Sequence, residues 1–159
     1  MRKLILLAII IPFASFGQIN VVENKPKEII GKIAPLGDVL IECSKTGNTY
    51  TFIYRDIKFT SLTDYESFSF RDIDNAFESL YSLIIKGLKE KRTDTVTIEL
   101  PEGEGVIFLN FIKSFGVASL QIAHAPYKEH NIIKYSTYLS KNKVKKLFGK
   151  IYPIFLMIR

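Results

Sequence analysis

Alternating apolar and polar residues dominate the chain between residues 28 and 59. The segments EIIGKIA and VLIECS, joined by PLGD, have the length of strands. KTGN then gives a hairpin signal, because glycine and asparagine tolerate positive φ. In the following TYTFIYRDIKF, Tyr50, Phe52 and Tyr54 share one face, and the other face also carries apolar bulk. This pattern predicts three antiparallel strands, the third of them central in a sheet.

The clearest helix signal is the segment RDIDNAFESLYSLIIKGLKEK, at residues 71–91. Ser69 is a candidate N-cap with Asp72 three residues further on, and the charges run from acidic to basic, as the helix dipole favours. Other apolar residues widen the stripe, so we expect the helix to be covered on more than one side. Apolar residues recur at the spacing of one helical face: Ile73, Ala76, Phe77, Leu80, Ile84 and Leu88.

Four more strands and a short helix are predicted in the second half. The strand candidates are TDTVTIEL, VIFLNFIK, VASLQIAH and IIKYSTYL, and Ser140 is placed to cap a short helix that runs through Phe148 and ends at Gly149. Strands joined by tight turns form antiparallel meanders. The predicted fold class is α+β: an antiparallel sheet of about six to seven strands with one long amphipathic helix packed on a face and a short C-terminal helix.

The first residues, MRKLILLAIIIPFASFG, have the pattern of a cleavable secretory signal. A basic start precedes an apolar stretch of roughly 13 residues, and the small residues Ser15 and Gly17 precede the expected cut before Gln18. An uncleaved anchor is less favoured, because about 20 residues are needed to span a bilayer. We therefore expect an exported protein, periplasmic or extracellular. It would have a signal at 1–17, a polar lead at 18–27, one α+β domain at 28–150 and an apolar tail at 151–159.

Charge and cysteine content narrow the partners of such a protein. The formal net charge is +6, and residues 101–159 hold 9 basic and 3 acidic residues. This excess favours anionic surfaces or acidic partners, whereas export argues against nucleic acid. The expected partner is an unknown protein or an anionic envelope surface, with no transmembrane span in the mature chain. The single cysteine, Cys43, is expected to be a buried thiol, with a nucleophile or an intermolecular disulfide as alternatives.

Motifs for metal binding, phosphate binding and nucleophilic catalysis are missing from the sequence. HExxH, CxxC, GxSxG and P-loop patterns do not occur. His124, on an apolar strand face, is expected to be half-buried with its hydrogen bonds satisfied, and His130 to be solvated in a loop. A hydrolase that uses Asp56, Asp64, Glu66 or His124 is a hypothesis that requires these side chains to converge in one cleft. We predict no cofactor, no metal and no enzymatic activity.

An aromatic segment before the long helix is one candidate interaction surface. KFTSLTDYESFSF carries Phe59, Tyr65, Phe68 and Phe70, which is more aromatic material than a plain surface loop uses. These side chains either fold back over the core or form a recognition surface, since Tyr and Phe anchor interfaces and ligand grooves.

The basic and apolar C-terminal end is the other candidate surface. Lys141, Lys145 and Lys146 lie on the polar side of the short helix, and IYPIFLMIR follows with Phe155 in its middle. If this tail packs on the body, it extends the core. If it is exposed, it forms an apolar patch beside a lysine cluster, which suits an anionic membrane interface or a protein partner. A poorly ordered terminus is the third alternative.

The sequence therefore favours a small exported, non-enzymatic binding or interaction protein of unknown specificity. A periplasmic carrier of a small apolar ligand or lipid, held between sheet and helix, is an alternative that requires a cavity. Association with the envelope surface through the basic and apolar C-terminus is a further alternative.

Overall fold

The α+β fold class is confirmed by the computed structural model, which describes residues 25–58, 64–101, 104–126 and 132–151. The expected signal peptide, most of the polar lead and all but the first residue of the apolar tail lie outside these ranges. The elements are, in order, β1 (Lys27–Ile33), β2 (Ile41–Thr46), β3 (Thr49–Arg55), β4 (Tyr65–Arg71), α1 (Ala76–Glu90), β5 (Thr95–Glu99), β6 (Val106–Ser114), β7 (Val117–Ala125), β8 (Lys134–Tyr135), β9 (Leu139–Ser140) and α2 (Lys141–Leu147).

The strands form two antiparallel sheets rather than one meander. The first sheet has the order β1-β2-β3-β4, and the second has the order β5-β6-β7-β8, with β9 also pairing with β7. As predicted, β3 is an inner strand, and Gly47 (φ 60°) lies in its hairpin with β2. The helix α1 lies between the two groups of strands in the chain. At one corner the sheets meet through a hydrogen bond of 3.0 Å from the Ile57 amide to the Tyr135 carbonyl.

Strand β4 lies in the aromatic segment before the helix, for which no strand was predicted. It pairs with β3 from Thr49 opposite Arg71 to Arg55 opposite Tyr65. The segment alternates strictly, so that Phe68 is buried while Tyr65 is exposed. This period of two is the signal that a strand was present, and it brings Phe68 and Phe70 into the core.

The start of α1 also differs from the prediction. Ser69 cannot be the N-cap, because it lies within β4. Instead the Phe77 amide donates a hydrogen bond of 3.0 Å to Oδ1 of Asp72, and the left-handed Asn75 (φ 59°) leads into the helix at Ala76. Ile73, predicted to lie on the helical face, precedes the helix and is exposed.

The core is shared by both sheets and the two helices. Phe52 stacks on Phe68 with ring centroids 5.1 Å apart, and Phe148, which follows α2, lies 5.5 Å from Phe52. Tyr50 stacks on Phe77 of α1 at 3.8 Å. Aromatic contacts of this kind add specific geometry to the burial of apolar surface.

Cys43 lies in the same core, as predicted. Its side chain is fully buried, and this burial raises the pKa of the thiol to about 12. A thiol with so high a pKa is protonated at neutral pH and is a poor nucleophile.

The predicted cap of α2 is confirmed, and the last predicted strand is interrupted. The Ser140 hydroxyl accepts a hydrogen bond from the Lys143 amide at 3.5 Å. The stretch predicted as one strand forms β8 and β9, separated by residues 136–138. There the Ser136 hydroxyl, instead of a carbonyl, accepts a hydrogen bond from the Ile122 amide at 3.0 Å.

Among the described residues, no helix is long and apolar enough to cross a membrane.

Candidate ligand-binding groove

An apolar groove lies between the first half of α1, the end of β4 and the strand β5. Its volume is about 420 Å³, within the range of about 300–1,000 Å³ that ligand pockets occupy. The apolar side chains that line it include Ala76, Leu80 and Leu83 of α1, Phe70 of β4, Ile98 of β5 and Ile107 of β6. The charged residues of the lining, Arg71 and Glu99, are exposed at the rim.

The groove forms because the apolar stripe of α1 is wider than the core requires. Phe77, Ile84 and Leu88 are buried in the core. Leu83 and Ala76 lie to one side of them and are only partly covered. Small side chains at Ala76 and Ser79 leave the helix surface recessed at this point. On the other wall, β5 is an edge strand, so Ile98 is also only partly buried.

Apolar surface at the mouth of the groove is exposed to solvent. Ile73 lies just before α1, lines the groove and exposes 60% of its surface. An exposed aliphatic side chain at the rim of an apolar concavity is surface that a bound apolar group would cover. Contiguous apolar surface of this kind is typical of ligand-binding and interaction sites.

A second, more polar cavity of about 180 Å³ adjoins the groove. The two cavities share Phe70, Arg71 and Pro101. The smaller one adds the hydroxyl residues Thr49 and Ser69 and the acidic Glu104 to its lining. The site therefore combines an apolar trough with a polar end.

The carboxylates considered for a hydrolase meet at a lysine. Nζ of Lys134 lies 2.9 Å from Asp64, 3.2 Å from Glu66 and 3.5 Å from Asp56. The hydrogen bond to Asp64 is the main cause of the raised pKa of Lys134. Asp56 is fully buried, and its Oδ1 accepts hydrogen bonds of 3.1 Å from the amides of Lys58 and Tyr135.

His124 lies beside this cluster and is fully buried rather than half-buried, and its Nδ1 has no hydrogen-bond partner in the described part of the chain. Its Nε2 lies 2.9 Å from the Glu104 carbonyl oxygen, and its ring centroid lies 5.6 Å from that of Phe68. In the β7–β8 pair it is opposite Lys134. Within the described ranges, no group of three or more His, Cys, Asp or Glu side chains is placed to hold a metal ion. His130 lies outside these ranges.

The three carboxylates thus converge, but the ammonium group of Lys134 occupies the point at which they meet. The arrangement joins β8 to the first sheet, since Asp56, Asp64 and Glu66 all come from the end of β3 or the start of β4. Its geometry is that of an ion-pair network between two sheets.

Of the described residues predicted for an interaction surface, Phe70 alone lines the groove. Phe68 is 1% exposed and therefore belongs to the core, which is one of the two outcomes expected for the aromatic segment. Tyr65, Lys141 and Lys146 are exposed, and Lys145 is half-buried. Phe59 and Phe155 lie outside the described residues. The sequence signal for the groove was the wide apolar stripe of α1, which does not itself show which part of the stripe stays open.

Comparison of the chain with protein-family models, curated proteins and solved structures gives no match. The functional proposal therefore depends on the residues and geometry of this chain alone.

Proposed function

We propose that this protein is an exported, non-enzymatic binding protein that holds the apolar chain of an amphiphilic ligand in the groove beside α1. The observation that supports this proposal is the groove itself, a trough of about 420 Å³ with apolar walls from α1, β4, β5 and β6. Each methylene group that leaves water for such a trough contributes about 0.8 kcal/mol to binding.

An amphiphile fits better than a purely apolar molecule because the two ends of the site differ. The chain would lie against Leu80, Leu83 and Ile98. The polar head would face Arg71 at the rim, or the hydroxyl groups of Thr49 and Ser69 in the adjoining cavity. A few polar groups at one end of an apolar site are the usual means of fixing the orientation of a ligand.

The site gives no comparable support for a hydrolase. A general base or nucleophile must reach the substrate, whereas Asp56 is fully buried and Lys134 lies among the three carboxylates. The positions of these groups therefore support a non-enzymatic role.

The test measures binding of a medium-chain fatty acid such as dodecanoate to the expected mature chain, residues 18–159. Native mass spectrometry detects the complex, and titration of the protein with the fatty acid gives the affinity. Ser79 lines the groove from the exposed side of α1, so Ser79→Phe should fill the trough without disturbing the core. Ser82 is also exposed on α1 but lies outside the groove lining, so Ser82→Phe is the matched control.

We expect one fatty acid to bind per chain and Ser79→Phe to weaken binding by about tenfold or more, which corresponds to ~1.4 kcal/mol. Ser82→Phe should bind as the wild type does. Equal affinities for the two variants, or no fatty-acid adduct of the wild type, would contradict the proposal.

A further inference from the structure

The tip of the β6–β7 hairpin carries a phenylalanine in an unusual position. Ser114 pairs with Val117, so the turn between them consists of Phe115 and Gly116 alone. Both have positive φ, 48° at Phe115 and 81° at Gly116, as in a type I′ turn, for which Asn-Gly is the preferred pair. Phe115 is fully exposed, at 103%. A bulky residue thus adopts a strained backbone conformation at a place where its ring buries nothing.

Basic residues surround this tip. The register of β6 with β7 places Lys113 opposite Ala118. On the other side of β7, Ser140 pairs with Ser119, so Lys141 follows at the next position toward the tip. Both lysines are exposed, and neither forms an ion pair within the part of the chain that the structure describes.

Acidic residues are missing from this region of the sequence. Residues 105–126 and 132–151 include β6 to β9 and α2, and they contain no aspartate or glutamate. The exposed lysines of α2 continue the positive charge away from the tip. An exposed apolar group with positive charge around it is complementary to the interface of an anionic bilayer, in which apolar side chains lie below the headgroups and lysines lie near the phosphates.

We propose that the β6–β7 tip docks on an anionic lipid bilayer, with Phe115 inserted into the interface and Lys113 and Lys141 near the lipid phosphates. A bilayer fits the tip better than a protein partner does. The tip presents one protruding ring and the exposed Val117 beside it, whereas a stable protein interface requires a broad complementary surface. This proposal is independent of the groove, which lies toward the other end of the second sheet.

The test is co-flotation of the chain 18–159 with vesicles of phosphatidylglycerol and phosphatidylcholine, compared with vesicles of phosphatidylcholine alone. Phe115→Asn removes the ring and places a residue that tolerates positive φ in the turn, so the fold should be retained. Leu36→Asn is the matched control. Leu36 also has a positive φ (52°) and is fully exposed (108%), but it lies in the turn between β1 and β2.

We expect the wild type and Leu36→Asn to float with anionic vesicles at low salt, and Phe115→Asn to lose about tenfold in partitioning. Lys113→Gln combined with Lys141→Gln should weaken binding to anionic vesicles and reduce its dependence on salt. If Phe115→Asn floats as the wild type does, another segment carries the binding, and the proposal is wrong. Failure of the wild type to bind anionic vesicles would also overturn it.

Discussion

Nζ of Lys134 lies 3.5 Å from Oδ2 of Asp56, a carboxylate with no exposed surface. Lys134 belongs to β8 of the second sheet, and Asp56 directly follows β3 of the first. The same corner contains the backbone hydrogen bond between Ile57 and Tyr135. Oδ2 of Asp56 has no hydrogen-bond partner among the described residues, so the ammonium group of Lys134 is what compensates for the burial of this oxygen at the corner where the sheets meet.

Substitution of Lys134 should therefore destabilise the folded state. We expect Lys134→Met to lower the free energy of unfolding by about 3 kcal/mol, because it leaves Asp56 buried without a counter-charge. Urea denaturation monitored by circular dichroism measures this change. Lys150→Met is the control, since the partly exposed pair of Lys150 with Glu78 should contribute less than about 1 kcal/mol. If the two variants lose equal stability, the buried pair has no special role.

The contribution of Lys134 to stability depends on pH with a definite sign. The pKa of Lys134 is raised by its hydrogen bond to Asp64, so the folded state holds the proton more tightly than the unfolded chain does. The contribution of Lys134 is therefore complete below the ordinary lysine pKa and is lost as the pH rises through the folded value. The stability difference between wild type and Lys134→Met should accordingly shrink in strongly alkaline solution, and a constant difference would argue against this linkage.

Cys43 should add a separate loss of stability at alkaline pH. Burial raises the pKa of its thiol from 9.0 to about 12. Between these values the unfolded chain binds fewer protons, so stability falls by up to about 1.4 kcal/mol per pH unit. Urea denaturation at about pH 8 and about pH 10 should show a smaller decrease for Cys43→Ala than for the wild type. Parallel decreases would show that the thiol does not contribute.

Gly31 should tolerate no side chain, because α2 packs directly against β1 at this point. A Cβ atom there would lie 2.1 Å from the Lys146 carbonyl oxygen. This obstacle is backbone, so Gly31→Ala should cost about 2 kcal/mol or more. At Gly87 a Cβ atom would lie 2.4 Å from the ring of the buried Phe111, which is a side chain and not backbone. We expect a smaller loss for Gly87→Ala, which thermal denaturation can compare, and the reverse order would contradict the packing described.

Substitution by asparagine should stabilise both turns that hold a bulky residue at positive φ. Phe115→Asn and Leu36→Asn each replace a fully exposed apolar residue of positive φ. Each should raise the free energy of unfolding by about 0.5–1 kcal/mol, since asparagine adopts this conformation at lower cost. Thermal denaturation measures the change. A lower melting temperature for Phe115→Asn would show that the Phe115 ring stabilises the fold, which would argue against a role in binding alone.

Local features of the fold could be predicted from the sequence because they depend on neighbouring residues. The central position of β3, the cap at Ser140 and the buried Cys43 follow from alternation and from turn and cap chemistry. Strand β4 was missed because its serines resemble a turn segment, although its alternation is that of a strand. The division into two sheets depends on contacts between distant parts of the chain, which local patterns do not specify.

The groove could be predicted only in part for the same reason. The wide apolar stripe of α1 indicated that the helix is covered on more than one side. Which side remains open depends on where β5 ends relative to α1, and this is a tertiary relationship. The exposed Phe115 gives no periodic signal at all, because a single residue at a turn has no pattern.

The occupancy of the groove is tested most directly by quenching of a single tryptophan with a brominated fatty acid, since the chain contains no tryptophan. Ile73→Trp places the reporter at the mouth of the groove. Ile132→Trp places it at a residue of matched exposure, 61% against 60%, that lies outside the groove lining. We predict saturable quenching at position 73 and none at position 132. Equal quenching at both positions, or no quenching at position 73, would contradict the proposal that an acyl chain lies beside α1.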